Sequence, residues 1–226
     1  MELNRIINDD CLKVMKEIPD KYFDLCITDP PYGIDFQSAW RTDKSKWKPK
    51  IANDDKPFTD FLPELFRIMK DDSAILVFTR YDVEEEFRIA MRKAGFIDKQ
   101  QIIWDKVVHG MGDLEGDFAS QHENIIFATK GNYKFPGERP KSVLRQIRVL
   151  PEELKHPNEK PVALMSALIR YTSKDGDKII EPFVGSGATL VSAKELKRDF
   201  LGIEIDPTYC AVAEERLKRT RQSLFL

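Results

Sequence analysis

Ile180-Glu181-Pro182-Phe183-Val184-Gly185-Ser186-Gly187-Ala188-Thr189 is the stretch on which the reading of this chain turns. Lys178 to Glu181 reads as a buried strand, and the segment from about residue 188 to 197 reads as a helix. A glycine turn between strand and helix lets the backbone approach a ligand, and the helix N-terminus behind it favours polar or anionic groups. Phe200-Leu201-Gly202-Ile203-Glu204-Ile205 reads as the next strand, and Glu204 lies 17 residues beyond Gly187. An open α/β sheet places an acid there to bind the two hydroxyls of a ribose. Leu190 stands where G-x-G-x-x-G has its third glycine, so a diphosphate is not specified. A nucleoside without a diphosphate fits the turn better.

Outward from this turn the same alternation runs through the chain. Strands are expected at Ile6-Ile7, Phe23–Thr28, Ser73–Thr79, Gln101–Trp104 and Glu123–Ala128. Helices are expected between Leu12 and Ile18, from Phe61 to Met69, and over 83–94, 161–173 and 207–222. Strand–helix alternation implies an α/β fold, a mostly parallel sheet with helices on both faces. Residues 34–57, 105–121 and 131–158 read as irregular loops, and loops of that length in a compact domain are commonly functional.

The 226 residues suffice for one large domain with a real core and are marginal for two. The chain therefore reads as a single domain over 1–226. No apolar run is long enough to span a membrane, and Met1–Arg5 lacks the basic and apolar regions of a secretory signal. Cys11, Cys26 and Cys210 are scattered with no C-x-x-C, so reduced thiols and a cytoplasmic location are expected. No metal site is expected, because His109 and His122 lack ligand spacing. The net charge of −2, from 36 basic and 38 acidic residues, leans by itself away from nucleic acid. The average hides segregation. Residues 40–50 hold Arg41, Lys44, Lys46, Lys48 and Lys50 against Asp43, and residues 139–148 hold Arg139, Lys141, Arg145 and Arg148 with no acid. The basic residues 216–221 read as a solvated helix end.

Asp29-Pro30-Pro31-Tyr32 follows the apolar strand at Phe23–Thr28. Two prolines take the chain out of the sheet and remove two N–H donors. What remains is a stiff group of acceptors, the Asp29 carboxylate and carbonyls, beside the Tyr32 ring. Such a corner suits the exocyclic amino group of a flat base.

D-P-P-Y followed later by Phe183-x-Gly185-x-Gly187 resembles the S-adenosylmethionine-dependent DNA amino-methyltransferases, and the order of the two motifs is similar to the beta group of that family. The resemblance covers nearly the whole chain. It implies a Rossmann-like, seven-stranded methyltransferase sheet in circularly permuted order, with S-adenosylmethionine as cofactor. Asn8-Asp9-Asp10-Cys11 looks like the segment that meets the adenine of the cofactor, which implicates Asp10 and Cys11. His156-Pro157-Asn158-Glu159-Lys160-Pro161 resembles the H-P-x-x-K-P segment beside the methionine end, which implicates Asn158 and Lys160. Gln121–Ile126 resembles a late strand of the family. Asp29, Glu181, Pro182, Phe183, Gly185, Ser186, Gly187, Thr189, Glu204, Ile205 and Asp206 complete the implied cofactor site. Glu181 stands where the family usually has Asp, at the contact to the cofactor's amino group.

The resemblance further implies methyl transfer to N6 of adenine in double-stranded DNA. Asp29 and the Pro30 carbonyl would accept the amino hydrogens, Pro31 would stiffen the corner, and Tyr32 would be the platform for a base turned out of the stack. The basic residues of 40–50 and 139–148 would hold phosphates. Without a separate recognition domain, the loops within 34–57, 105–121 and 131–158 would read the site. A homodimer and a cognate restriction endonuclease are compatible with the family. The rival readings are N4-cytosine methylation, a catalytically silent nucleic-acid-binding subunit and a nicotinamide-dependent oxidoreductase. The first is disfavoured because cytosine members more often carry Ser at the Asp29 position, the second by the intact motifs, and the third by the missing third glycine.

Overall fold

The computed structural model describes residues 1–33, 56–110, 115–116, 118–149 and 159–221. Its elements are β1 (Arg5–Ile7), α1 (Cys11–Lys16), β2 (Phe23–Thr28), α2 (Leu62–Ile68), β3 (Met69–Thr79), α3 (Glu84–Ala94), β4 (Ile97–Asp105), β5 (His122–Lys130), β6 (Val143–Arg145), α4 (Val162–Thr172), β7 (Lys178–Glu181), α5 (Ala188–Glu195), β8 (Asp199–Ile203) and α6 (Pro207–Arg219). Among the described residues no helix is long and apolar enough to cross a membrane.

The strands form one sheet in the order β1-β8-β7-β2-β3-β5-β4-β6. Every neighbouring pair is parallel except β3–β5 and β4–β5, because β5 runs the other way. The mostly parallel sheet expected from the sequence is therefore present, with eight strands where seven were expected. The extra strand is Val143–Arg145, inside a stretch read as irregular. It pairs with β4 through Ile103↔Val143 to Asp105↔Arg145. It is three residues long and carries an exposed Val and Arg, so no apolar alternation announces it. Three other strands run well beyond their expected bounds, β4 from Ile97 to Asp105 among them. β3 begins at Met69 and includes Lys70-Asp71-Asp72, and β5 continues to Lys130, whose buried ammonium donates to the carbonyls of Phe66 and Met69 at 2.7 and 2.8 Å.

Alternation along the strands divides the core in two. Leu25, Ile27, Leu76, Phe78, Ile125 and Phe127 pack with α4, α5 and α6. Cys26, Ile75, Val77, Ile126 and Ala128 pack with α1, α2 and α3 on the other face. Central strands buried on both faces need continuous apolar runs, which is why Ala74-Ile75-Leu76-Val77-Phe78 is apolar throughout and buried. The chain following β2 enters the α2 face, whereas the chain following its parallel neighbour β7 enters the α5 face. Adjacent strands whose connections leave in opposite directions open a crevice at their carboxyl ends, and in open α/β sheets that crevice is where ligands bind.

Candidate active site

Asp29-Pro30-Pro31-Tyr32 and Glu181–Gly187 emerge at this crevice from β2 and β7, which pair through Leu25↔Ile179 and Cys26↔Ile180. The D-P-P-Y corner is tied down on its far side. The Phe58 N–H donates to the Pro31 carbonyl at 3.0 Å, and Tyr32 forms an isolated bridge with Pro57. Gly33 has φ +78°, and a Cβ there would lie 2.3 Å from the Lys56 carbonyl carbon, so only glycine fits. The two flanks of 34–55 thus meet at the corner. Arg41, Lys44, Lys46 and Lys48 lie outside the described residues, as does Asn158.

Asp29 stands at one end of a half-buried ionic cluster whose buried cation is Lys160. The Tyr32 hydroxyl donates to Asp29 Oδ1. Lys160 Nζ lies 2.7 Å from Asp29 Oδ2 and 3.0 Å from Glu123 Oε2, and the Lys160 side chain is only 7% exposed. Lys106 Nζ closes the chain of charges at 2.6 Å from Glu123 Oε1. Burial opposes the charge on Lys160, but the carboxylates of Asp29 and Glu123 outweigh it and hold the ammonium protonated. Burial likewise opposes ionisation of Glu123, yet Lys160 and Lys106 hold its carboxyl down at about 2. Burial, then the Asp29 charge, push the Tyr32 phenol far above its ordinary range, so it stays a neutral donor. The Tyr32 ring packs edge-on against Phe87 at 6.4 Å between centroids. A carboxylate offers about four acceptor positions, so Asp29 retains capacity beyond Tyr32 and Lys160.

On the β7–β8 side two further carboxylates are buried. Glu181 accepts from the Thr189 hydroxyl at 2.9 Å and from the Phe183 N–H at 3.2 Å. Burial outweighs these bonds and raises its carboxyl to about 8. Glu204 accepts from the N–H groups of Gly185 at 2.8 Å and Asp206 at 2.9 Å, and burial raises its carboxyl as well. Gly187 caps α5 with φ +83°, where a Cβ would sit 2.8 Å from Ala213 Cβ. Asp10 caps α1 by accepting from the Leu12 N–H at 2.8 Å, and the buried Cys11 thiol is raised to about 12, which makes it inert. Asp206 caps α6 in the same way through Thr208, while Ile205 is 47% exposed at the mouth. Pro182 is buried, and the Phe183 ring meets Phe61 edge-on at 5.0 Å.

The structure thus gathers Asp29, Tyr32, Lys160, Glu181, Phe183 and the glycine turn along one edge of the sheet, with Glu204 two strands away from Asp29. Arg145 closes β6 at the same edge, 3.7 Å from Asp105, and Arg139 and Lys141 are exposed just before it. Arg148 is half-buried. One expectation is overturned: Arg216 is not part of a solvated helix end. Its guanidinium donates to Ser186 O and Oγ, both at 2.8 Å, and pairs with Glu159 at 2.8 Å, with 14% of its side chain exposed. The sequence places Asn8 in the adenine segment but does not show that its amide donates to the Glu204 and Ile205 carbonyls, nor the ionic role of Glu123 and Lys106. The acid in Gln121-His122-Glu123 was the available signal for Glu123, but a polar residue at a strand entrance reads first as solvated.

A family model described as DNA methylase matches residues 23–215. The putative methylase YubD of Escherichia coli (strain K12) is 27% identical over 235 residues, which cover 98% of this chain and 93% of that protein. Type II methyltransferase M.HinfI of Haemophilus influenzae is 29% identical over 252 residues, 97% of this chain and 69% of the relative. The solved complex of M1.HpyAVI with SAM superposes with a TM-score of 0.71 at 22% identity, covering 94% of this chain and 98% of that one. PvuII DNA methyltransferase, described as cytosine-N4-specific, superposes at 0.74 with 17% identity, covering 93% and 85%. These two likenesses establish the fold, and the extent of the family match establishes more: the chain belongs to the N6/N4 DNA methylase family.

Proposed function

We propose that this DNA methyltransferase transfers a methyl group from S-adenosylmethionine to N6 of adenine in double-stranded DNA. The observation that carries the reading is the Asp29 carboxylate, rigidly held at the crevice by Tyr32 and Lys160 with acceptor capacity left over. Asp in this position, where cytosine members more often carry Ser, favours adenine.

The residues present fit such a cofactor. Glu204 and Glu181 are buried carboxyl groups with no cation of their own among the described residues, so burial favours their neutral forms until a cation or further donors arrive. Glu204 would accept from ribose hydroxyls and Glu181 would meet an ammonium group. Asp10 and Cys11 would border the adenine through the backbone. Pro182, Phe183, Gly185, Ser186, Gly187 and Thr189 would form the wall, with Ile205 and Asp206 at the rim and Lys160 beside the methionine end. When bound, the cofactor supplies an electrophilic methyl group on sulfur.

The amino lone pair of adenine is delocalised into the ring and is a weak nucleophile. Asp29 and the Pro30 carbonyl would accept its two hydrogens, draw the nitrogen towards pyramidal geometry and fix its direction of attack. That is catalysis by positioning and electrostatics. The base must leave the helix stack to reach the corner, with Tyr32 beside it. Arg139, Lys141, Arg145 and Arg148, together with Arg41, Lys44, Lys46 and Lys48, would contact phosphates.

The test is expression in a methylation-free host followed by nucleoside analysis of its DNA. N6-methyladenine is the expected product. N4-methylcytosine in its place would overturn the adenine reading.

A further inference from the structure

We infer that Glu123 is a positioning residue for the methyl transfer: it shares the Lys160 ammonium with Asp29 and so keeps the Asp29 carboxylate available to the target amino group. The inference rests on the reading of Asp29 as the acceptor for that group. Glu123 stands near the start of β5, the one strand antiparallel to β3, so the amino end of β5 reaches the crevice. Lys160 lies between the two carboxylates, 2.7 Å from Asp29 and 3.0 Å from Glu123, above the Phe78 ring at 4.9 Å. Lys106 holds the other oxygen of Glu123 at 2.6 Å and prevents it from turning away.

The consequence follows from acceptor strength. A buried ammonium with a single carboxylate partner draws close to it and competes with any further hydrogen bond that carboxylate must accept. Two carboxylates divide the cation. Asp29 then keeps negative charge for an incoming amino hydrogen, and Lys160 has a second partner onto which it can move as the base arrives. Neutralising Glu123 leaves Lys160 to Asp29 alone and strands Lys106 without its partner. The damage falls on the orientation and strength of Asp29, and a misplacement of about 1 Å at such a group costs on the order of 100-fold in rate.

Single-turnover methylation of DNA from a methylation-free host, with cofactor affinity measured separately, tests this. Glu123→Gln is expected to lower the rate about 100-fold and to change the dissociation constant for S-adenosylmethionine by less than about fivefold. Glu123→Asp keeps the charge and should recover most of the rate. A Glu123→Gln rate within about threefold of wild type, with Asp29→Asn inactive, overturns the inference and leaves the Asp29 reading intact. An active Asp29→Asn overturns both. Equal losses in the Gln and Asp variants together with lost cofactor binding mark a merely structural role and also overturn it. Should Glu123→Gln fail to fold, Lys106→Met probes the same chain of charges. It should slow the reaction about threefold or more with cofactor affinity unchanged, and an unaltered rate counts against the inference.

Discussion

Replacing Glu181 by Gln should change how the stability of the free protein depends on pH. Burial raises this carboxyl from the ordinary 4.5 to about 8. In the folded protein Glu181 therefore keeps its proton up to about pH 8, while the unfolded chain sheds it near 4.5. The unfolded state binds fewer protons throughout that window, so stability falls as pH rises through it and is constant above it. Each pH unit costs about 1.4 kcal/mol, so the burden grows by about 4 kcal/mol between pH 5 and pH 8. Gln has nearly the same shape and no proton to lose, and it can still pair with the Thr189 hydroxyl and the Phe183 N–H. Urea unfolding of both proteins at pH 5, 6.5 and 8 isolates the effect, because every other titrating group cancels in the difference. The variant should gain on wild type steadily across the series, by about 4 kcal/mol in unfolding free energy at pH 8 relative to pH 5. Parallel curves, with a gap that does not change with pH, would refute the argument.

Cofactor binding should show the opposite face of the same group. An ammonium brought to Glu181 makes the carboxyl ionise, so S-adenosylmethionine affinity should rise with pH towards 8, and calorimetry in two buffers should detect a released proton. Gly187→Ala places a Cβ against Ala213 at φ +83° and should cost about 1–3 kcal/mol in urea unfolding. Arg216→Met leaves the buried Glu159 without this cation and should cost about 3 kcal/mol by the same measurement. Neutralising Arg139 and Lys141 should flatten the plot of log DNA affinity against log salt by about 0.9 per charge, and an unchanged slope would remove them from the phosphate contacts.

The division of labour between sequence and tertiary structure is visible in particular residues. The apolar runs Phe23–Thr28 and Lys178–Glu181 predicted β2 and β7 to the residue, because strands buried on both faces tolerate little else. D-P-P-Y and G-S-G were legible for a related reason: proline and glycine act on the local backbone wherever they stand, and the acid beside each is adjacent in the chain. The short strand β6 was not legible, since pairing to β4 and not its own composition makes it a strand. The ionic cluster was even less so. Asp29 follows β2, Lys106 follows β4, Glu123 lies at the start of β5 and Lys160 precedes α4, and the attraction between charges depends on distance in space, to which spacing in sequence gives no access. Arg216 makes the same point, because the sequence shows a basic helix end while the packing of α6 under the glycine turn turns one of its cations inward. Backbone stereochemistry and the pattern of apolar runs specify the alternating α/β architecture and the two motif corners. That the corners meet where the connections of β2 and β7 part, and which charges face each other there, comes from packing, because charges attract across short distances in space whatever their separation along the chain.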